Sequence, residues 1–349
     1  MRILHCLRAP VGGLFRHVLD LAEEQARRGH DVGIIADSTA GDRLTVAKFA
    51  AITPKLTLGI ARIPIGRRPG LGDLSAVRAV RAHAAKLNLN VLHGHGAKGG
   101  AYARLAACSL SGRRVASFYT PHGGSLNIKP GTLKQRVLLT VERGLEAVTT
   151  GLIFESAHAA HIYRSLVREK GAPHRIIPNG LKAADFAPAE PRPDATDVLF
   201  VGELRDLKGV DTLLGALAKL KSNRPVTATI VGSGPDAEKF RAMASTLGLD
   251  GLVTFTGAMP IREAFGHGRV MVVPSRAESF PYVVLEAAAA GLPLIATNVG
   301  GIPEIVAESD TKLIEPDSVA MLTSALRSTL DDMEGARARV VRLRARVQS

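Results

Sequence analysis

Short runs of β-branched and other apolar residues alternate along the first half of the chain with longer stretches that have a helical repeat. The runs predict strands at 3–7, 32–36, 61–65, 91–93, 115–119, 152–154 and 175–177. The stretch 15–28 has apolar residues at helical spacing and stops at Gly29, a residue typical of the position after a helix. The order strand, helix, glycine, strand predicts a parallel sheet with helices on both faces.

The second half repeats this alternation. Its predicted strands are 198–201, 227–231, 253–256, 270–273, 293–296 and 312–314, and its clearest helices are 210–220 and 282–290. Between the halves, the segment FAPAEPRPDATD at 186–197 has three prolines and no apolar periodicity, which is typical of a linker. We therefore predict an α/β protein of two Rossmann-like, doubly wound domains, covering residues 1–185 and 186–349.

Composition agrees with two folded domains and adds an uneven charge. The 349 residues are 46% hydrophobic and 22% charged, which excludes wholesale disorder. The formal net charge is +13, but residues 1–185 hold 27 Lys and Arg against 12 Asp and Glu, while residues 186–349 hold 18 against 20. A basic first half is typical of a surface that meets phosphate, anionic lipid or nucleic acid. Nucleic acid is disfavoured because the chain has no Trp, 4 Tyr and 10 Phe, a poor supply of stacking platforms.

The sequence predicts a cytoplasmic protein. The apolar start at 3–7 is interrupted by Arg8 and is too short for a signal peptide, and no apolar tract is long enough to span a bilayer. Only Cys6 and Cys108 are present, so neither a disulfide framework nor a cysteine zinc cluster is expected.

The candidate chemistry of the first half follows predicted strands. Pro10-Val11-Gly12-Gly13 precedes a helix, so its backbone N–H groups can approach an anion, although a tight turn alone would also use these glycines. His122 lies in TPHGG after the fifth strand, and His93 and His95 lie earlier. Histidines can bind a metal, but no carboxylate or cysteine stands at a ligand-like spacing, and we therefore predict no metal site.

The second half has two glycine-rich or basic turns after strands. In VGELRDLKG, Arg205 and Lys208 lie three residues apart, where both can reach one pair of phosphates, and the alternative is a solvated basic turn. The run VGSGP formally matches a dinucleotide fingerprint. Its proline and its position deep inside the domain disfavour a nicotinamide role.

The most informative segment is PSRAESFPYVVLEAAAAGLPLIATNVGGIPEIV, which contains two glutamates at different places. Glu278 lies in the loop after a strand, where a carboxylate can accept hydrogen bonds from sugar hydroxyls. Glu286 lies eight residues later, inside an apolar helix where an unpaired carboxylate would be costly. A carboxylate there suits a vicinal diol such as that of a ribose. Two ordinary surface charges are the alternative.

Together these motifs resemble the family-four glycosyltransferases, a retaining group with the GT-B fold. The resemblance rests on E-x7-E at Glu278 and Glu286, the preceding Arg205 and Lys208, and the following NVGGIPEIV. It extends to VGGLFRHVLDLAEEQARRGHDV, TPHG and IPNGL in the first half. The chain departs from many members at Ser279, where they have glycine, and its C-terminal helix is expected to be short, which would affect domain closure.

The resemblance implies a role for each matched residue. Arg205 and Lys208 bind the donor diphosphate, Gly13 approaches it from the other domain, Glu286 holds the ribose, Glu278 touches the sugar, and His122 faces it. The implied donor site comprises Gly13, Arg205, Lys208, Gly257, Glu278, Ser279, Phe280, Pro281 and Glu286, and the implied catalytic residues are His122, Arg205, Lys208 and Glu278.

The resulting functional hypothesis is a retaining, metal-independent hexosyltransferase with no cofactor other than its nucleotide-sugar substrate. The chain has no aspartates spaced i, i+2 that would hold a metal, so cationic side chains would stabilise the leaving diphosphate. Its expected partners are a UDP- or GDP-sugar, a glycan or polyprenyl-linked acceptor, and the anionic inner face of the cell membrane. The basic residues considered for that membrane contact are Arg62, Arg67, Arg68, Arg78, Arg81, Lys129, Lys134 and Arg136. A same-fold epimerase or phosphorylase and a nucleic-acid-binding protein are the alternatives.

Overall fold

The computed structural model describes residues 1–110, 115–123, 131–168 and 171–349, except for the side chain of Lys134. The chain forms two compact units, an N-terminal unit of Met1–Asn179 and a C-terminal unit of Gly180–Ser349. The sequence places the boundary after residue 185. In the structure, residues 180–185 belong to the C-terminal unit, and the Arg344 guanidinium donates to the Phe186 carbonyl 2.5 Å away.

The N-terminal unit is built on a parallel sheet. Within the described ranges its strands are β1 (Arg2–Leu7), β2 (Asp31–Asp37), β3 (Gly59–Ile63), β4 (Val91–His95), β5 (Ala116–Thr120), β6 (Gly151–Phe154) and β7 (His174–Ile176). Its described helices are α1 (Gly12–Arg27), α2 (Arg43–Ile52), α3 (Gly72–Lys86), α4 (Gly96–Cys108), α5 (Leu133–Glu146) and α6 (Ala157–Leu166). The strand order is β3-β2-β1-β4-β5-β6-β7, so the chain reverses direction across the sheet between β1 and β4.

Alternation along the strands of this sheet supplies separate cores on its two faces, and a third apolar cluster surrounds Tyr119 and Phe154. Leu4 and Ile35 pack with α3 and α4 in one apolar cluster, while Ile34 and its neighbours pack with Phe15 of α1 and Phe49 of α2 in another. Because successive side chains of a strand point to opposite faces, helices cover both sides of the sheet. The predicted doubly wound arrangement is confirmed for this unit.

Helix α4 lies unusually close to the sheet because glycines face it. A Cβ at Gly99 would lie 2.5 Å from the carbonyl oxygen of Cys6, and one at Gly100 would lie 2.2 Å from the ring of Tyr119. No side chain fits at either position. The run Gly99-Gly100 therefore fixes the depth at which α4 packs on β1 and β5.

The same helix carries a buried arginine. Arg104 is fully buried, its Nη2 donates to Glu142 Oε2 of α5 at 2.9 Å, and its Nε donates to the Gly100 carbonyl. The guanidinium also lies over the Tyr119 ring, 3.9 Å from its centre. The pair joins α4 to α5 at a place where either charge alone would be costly.

The C-terminal unit repeats the plan. Within it the described strands are β8 (Thr196–Val201), β9 (Ala228–Val231), β10 (Val253–Gly257), β11 (Gly268–Val273), β12 (Leu294–Thr297) and β13 (Leu313–Ile314). Its described helices are α7 (Val210–Leu220), α8 (Ala237–Thr246), α9 (Ile261–Ala264), α10 (Tyr282–Ala290), α11 (Ile302–Val306), α12 (Val319–Asp331) and α13 (Met333–Gln348). The parallel order β10-β9-β8-β11-β12-β13 reverses between β8 and β11.

Two cores again flank this sheet. Val198 and Phe200 of β8 pack with α7, α8 and α12, whereas Leu199 packs with α10, α11 and Leu343 of α13. The helices at 210–220 and 282–290 have the predicted bounds, and most strands differ from the prediction by one or two residues. Among the described helices, none has the length and apolar content needed to cross a lipid bilayer.

The buried pair of α4 and α5 gives a stability prediction. Replacing Arg104 by Leu leaves Glu142 as a buried carboxylate without its ion-pair partner, so we expect the free energy of unfolding to fall by about 3–5 kcal/mol. Urea unfolding followed by circular dichroism measures this. The exposed Arg43→Leu should leave the urea midpoint unchanged, and Arg104→Leu with Glu142→Leu should recover part of the loss. A single variant as stable as the parent would contradict this account of the pair.

Candidate active site

In the C-terminal unit, the candidate residues gather where β8 and β11 end. Open parallel sheets bind ligands beyond the carboxyl ends of their strands, at the point where the strand order reverses. The turn after β8 carries Arg205 and Lys208, and the loop after β11 carries Glu278. Residues 70 positions apart in sequence are thus brought to the reversal point of this sheet.

The structure joins Lys208 directly to Glu278. Lys208 Nζ lies 2.6 Å from Glu278 Oε1, and the Ser275 hydroxyl donates to the same oxygen at 2.7 Å. The Glu278 side chain is 9% exposed and that of Lys208 is 25% exposed. The ammonium is therefore held at the surface by a nearly buried carboxylate, and the exposed part of the Lys208 side chain is accessible to a second anion.

Arg205 lies on the same turn as Lys208 but is less constrained. Its Nη1 lies 3.5 Å from Glu203 Oε2, and both side chains are more than a third exposed. An exposed pair of this kind contributes little to stability, so the guanidinium can exchange Glu203 for another anion at small cost. The structure thus brings the two predicted cations to one turn while giving them different partners.

A third basic residue near this site, Arg276, was missed by the sequence analysis. Its guanidinium forms a two-pronged pair with Asp211 at 2.9 and 2.6 Å, and its Nε donates to Asp317 at 2.6 Å. Burial opposes ionisation of Asp211, but the hydrogen bonds from Arg276 outweigh it and lower the pKa of that carboxyl. Arg276 also donates to the Asp206 carbonyl, and so ties the Glu278 loop to the Lys208 turn. The sequence feature that could have indicated Arg276 is its position in SRAESF, two residues before Glu278.

The turn after β12 contacts the backbone of the loop that carries Glu278. Gly300 has a φ of +59°, and a Cβ there would lie 1.8 Å from the Glu278 carbonyl oxygen. The Gly301 N–H donates to the Ser279 carbonyl at 2.8 Å. The glycines of the NVGG segment therefore allow its backbone to pack directly on the loop that carries Glu278.

The remaining predicted donor residues lie around this loop and at the end of β10. Phe280 and Pro281 are buried, and Ser279 is partly buried just before α10 begins at Tyr282. Glu286 is 7% exposed in the second turn of α10. Gly257 ends β10 with a φ of +80°, and its carbonyl accepts the N–H of Gly232.

The glycines of VGSGP have a structural reason. A Cβ at Gly232 would lie 1.8 Å from the Gly202 carbonyl oxygen, and one at Gly234 would lie 2.4 Å from that of Leu204. The glycines allow the turn after β9 to pack on the turn that leads to Arg205. This packing accounts for the motif without a dinucleotide.

In the N-terminal unit, Gly13 lies in the first turn of α1. The predicted helix began at Phe15, whereas α1 begins at Gly12, and no side chain among the described residues caps its N-terminus. Gly13 is exposed, and the first N–H groups of a helix have no intrahelical acceptor. Such N–H groups can bind an anion, and the role of Gly13 in binding the donor stays a prediction.

Five histidines meet at the carboxyl ends of β1, β4 and β5, and the sequence analysis foresaw only three of them as candidates. His5 Nε2 lies 2.8 Å from Gln25 Oε1, His5 Nδ1 lies 3.0 Å from His95 Nε2, and His95 Nδ1 lies 3.2 Å from His122 Nε2. Burial lowers the pKa of His5 and His17 to about 4 and that of His122 to about 3, and it holds those of His93 and His95 well below 6.5. The rings are therefore neutral at pH 7.

His122 has both ring nitrogens directed into the unit. Its Nδ1 lies 3.7 Å from Oε1 of Glu155, a buried carboxylate that directly follows β6, and its side chain is only 8% exposed. Its backbone has a φ of +50°, an uncommon value for a residue with a side chain. Glu155 was missed by the sequence analysis, although a glutamate after the apolar run LIF was the available signal.

Comparisons with known proteins agree along both units. Residues 11–184 match the model of Glycosyltransferase Family 4, and residues 182–344 match that of Glycosyl transferases group 1. Glycogen synthase of Mycobacterium tuberculosis is 30% identical over 97% of this chain and 87% of that protein. Sucrose-phosphate synthase of Thermosynechococcus elongatus superposes with a TM-score of 0.82, at 23% identity over 99% of this chain and 94% of the other. The Anabaena protein HepE in complex with UDP-glucose gives 0.81, at 20% identity over 99% and 94%.

The contact between Gly300 and Glu278 gives a prediction about the site. Gly300→Ala puts a methyl group against the Glu278 carbonyl, so the loop must move, and we expect nucleotide-dependent thermal stabilisation to be lost. Gly251→Ala is the matched control, because Gly251 has a φ of +79° and a methyl group added there would meet nothing within 4 Å. Both variants carry the cost of a left-handed residue, about 1–2 kcal/mol, but only one carries the clash. The supporting role of Gly300 would be contradicted if UDP or GDP raised the melting temperature of Gly300→Ala as much as that of Gly251→Ala.

Proposed function

Because the chain belongs to the family-four glycosyltransferases of the GT-B fold, we propose that it transfers a hexose from a UDP- or GDP-sugar to a glycan or polyprenyl-linked acceptor, with retention of configuration. The observation that carries this proposal is the pair of Lys208 and Glu278 at the reversal point of the C-terminal sheet. An ammonium, which suits phosphate, and a carboxylate, which suits sugar hydroxyls, are in contact in this pair. The bound UDP-glucose of HepE, a protein of the same fold, supports a nucleotide-sugar donor.

The cations act on the leaving group. Departure of the nucleoside diphosphate puts negative charge on phosphate and positive character on the anomeric carbon. Lys208 and Arg205 then stabilise the diphosphate more strongly than they stabilise the intact donor, which lowers the barrier. Arg276 holds the turn of Lys208 in place through Asp206 and Asp211. With the leaving group supported in this way, transfer needs no metal at the diphosphate.

The carboxylates orient the donor. Glu278 accepts from sugar hydroxyls with its oxygen that is not shared with Lys208 and Ser275, and Glu286 binds the ribose diol from α10. The backbone of Ser279, Phe280 and Pro281 lies beside Glu278 and contacts sugar and phosphate. In a retaining reaction the leaving phosphate takes the proton of the attacking acceptor hydroxyl, on the face from which the phosphate departs.

The N-terminal unit contributes backbone groups and binds the acceptor. In this proposal the Gly13 N–H, in the first turn of α1, binds a phosphate of the donor. His122 faces the sugar with its main chain, since its ring is 8% exposed and directed towards His95 and Glu155. Gly257, at the end of β10, lines the nucleotide side of the C-terminal unit.

The donor assignment is tested by a panel of nucleotide sugars, assayed for donor hydrolysis and for thermal stabilisation. One nucleotide should raise the melting temperature of the parent protein selectively. Lys208→Ala should lower kcat/KM for that donor about 100-fold or more, because it removes charge stabilisation that grows in the transition state. NMR of the product then reports retention or inversion at the anomeric carbon.

The matched control is Lys239→Ala, which removes a more exposed lysine of the same unit that pairs with Asp206. This variant should retain the activity of the parent. Circular dichroism of both variants confirms that they are folded. Normal turnover by folded Lys208→Ala would overturn the assignment.

We also propose that the N-terminal unit meets its acceptor at an anionic membrane surface. On α5, Leu133, Val137 and Val141 follow one another at four-residue spacing, and they are 77, 55 and 48% exposed. Arg136 is exposed on the same helix. An apolar stripe with basic neighbours is typical of a helix that lies in a bilayer interface.

The other basic residues named from the sequence differ in their hydrogen bonds and exposure. Arg62 is engaged by the carbonyls of Asp37 and Ala40, and Arg81 donates to the Ser109 carbonyl. Arg67, Arg68 and Arg78 are exposed, and Lys129 lies outside the described residues. The proposal therefore rests on the exposed apolar stripe of α5 and on Arg136.

Vesicle sedimentation tests the membrane proposal. The protein should bind vesicles of phosphatidylglycerol and phosphatidylcholine at low salt and release at high salt, because part of the attraction is electrostatic. Leu133→Ser with Val137→Ser should weaken binding at least severalfold. Val341→Ser, at a position 67% exposed on α13, should not. Absence of binding at low salt would refute the proposal.

A further inference from the structure

We propose that His17, His95 and His122 form a binding site for a divalent transition-metal ion of the Zn²⁺ type, held entirely within the N-terminal unit. One ring nitrogen from each of these residues lies within 4.8 Å of those of the other two. They come from α1, from the end of β4 and from the residues after β5, so only the fold brings them together.

The free nitrogens of this histidine triad can be assigned from the hydrogen bonds. His17 Nδ1 lies 3.0 Å from Asn179 Oδ1, which only accepts, so Nδ1 carries the proton and Nε2 carries a lone pair. That Nε2 is buried and has no hydrogen-bond partner within the described ranges. A buried nitrogen lone pair left without a donor is costly, and a metal ion would satisfy it.

His95 offers its Nδ1 by the same reasoning. Gln25 Oε1 accepts from His5 Nε2, which leaves His5 Nδ1 to accept from His95 Nε2. The proton of His95 is thereby fixed on Nε2, and its Nδ1 lone pair points at His122 Nε2, 3.2 Å away. Two nitrogens bound to one tetrahedral Zn²⁺ at about 2.0 Å are separated by about 3.3 Å, so this spacing suits two ligands of one ion.

His122 completes the triad by a shift of its proton. Without metal, its Nε2–H donates to His95. When a metal takes the place of that proton, the proton moves to Nδ1, which faces the Glu155 carboxylate 3.7 Å away. Each imidazole then gives one lone pair to the ion, and no oxidation or net proton change is needed at the rings.

The surroundings of the triad match what metal-binding histidines require. Such residues donate their second ring N–H to a carboxylate, an amide oxygen or a similar acceptor, which orients the ring. Here Asn179 accepts from His17 and His5 accepts from His95, while the Glu155 carboxylate faces Nδ1 of His122 at 3.7 Å. The neighbouring group of His5, His93 and His95 differs, because none of its ring nitrogens is a buried atom without a hydrogen-bond partner within the described ranges, whereas Nε2 of His17 is one.

Three neutral imidazoles favour Zn²⁺, Co²⁺, Ni²⁺ or Cu²⁺ over Mg²⁺ or Ca²⁺, which prefer oxygen ligands. Bound there, the ion would pin α1 and the His122 turn to the end of β4. The site uses the ring of His122 and lies in a different unit from Lys208 and Arg205. It is therefore separate from the metal-free support of the diphosphate proposed above.

Metal titration of tag-free protein, first treated with EDTA and then freed of it, tests the site without any nucleotide sugar. We expect one equivalent of Zn²⁺ by calorimetry, the visible absorption of tetrahedral Co²⁺, and a higher melting temperature with Zn²⁺ but not with Mg²⁺. His17→Ala should abolish the Co²⁺ spectrum. Asn179→Ala should weaken Zn²⁺ binding about 10–100-fold, because it loosens the orientation of His17.

The control is His161→Ala, which removes an exposed histidine of the same unit and should bind as the parent does. Circular dichroism establishes that each variant is folded. Parent protein that takes up no stoichiometric Zn²⁺ or Co²⁺ would overturn the proposal, and so would folded His17→Ala with the parent's spectrum. Because no donor or acceptor is used, failure here leaves the glycosyltransferase proposal to its own test.

Discussion

Backbone contact among the turns at the carboxyl ends of the C-terminal sheet is the constraint on which its site depends. A Cβ at Gly209, Gly232 or Gly300 would lie 1.8–2.0 Å from a carbonyl oxygen of a neighbouring turn. Side chains are excluded there, so the turns after β8, β9, β11 and β12 can stack on one another. Lys208 and Glu278 can form their 2.6 Å contact because the segments that carry them have already been brought together by these approaches.

The two units solve the problem of burying polar groups at a sheet edge in different ways. The C-terminal unit pairs opposite charges: Lys208 with Glu278, and Arg276 with Asp211. The N-terminal unit gathers neutral rings, because burial holds the pKa values of its five clustered histidines far below 7. The first arrangement suits recognition of phosphate and hydroxyl groups. The second leaves nitrogen lone pairs, which suit a cation.

The architecture was largely readable from sequence because its signals are local. Apolar runs set the strands, and the helices 210–220 and 282–290 have the predicted bounds. The start of α1 was misplaced because glycine favours turns, and the prediction read Gly12 and Gly13 as a loop. The pairing of Lys208 with Glu278 could not be predicted from the sequence, because it spans 70 residues and depends on β8 and β11 being neighbours. The resemblance selected both residues without revealing that they touch.

The metal site proposed at the histidine triad differs from the prediction that spacing along the chain supports. In the sequence, no carboxylate or cysteine stands at a ligand-like spacing from His93, His95 or His122, and the prediction of no metal site rests on that spacing. In a parallel sheet, however, the carboxyl ends of the strands and the starts of the helices that follow them share one edge, whatever their separation in sequence. His17 lies 105 residues before His122, yet their ring centres are 4.9 Å apart. Such a site therefore has to be inferred from the topology, which determines which strand ends are neighbours.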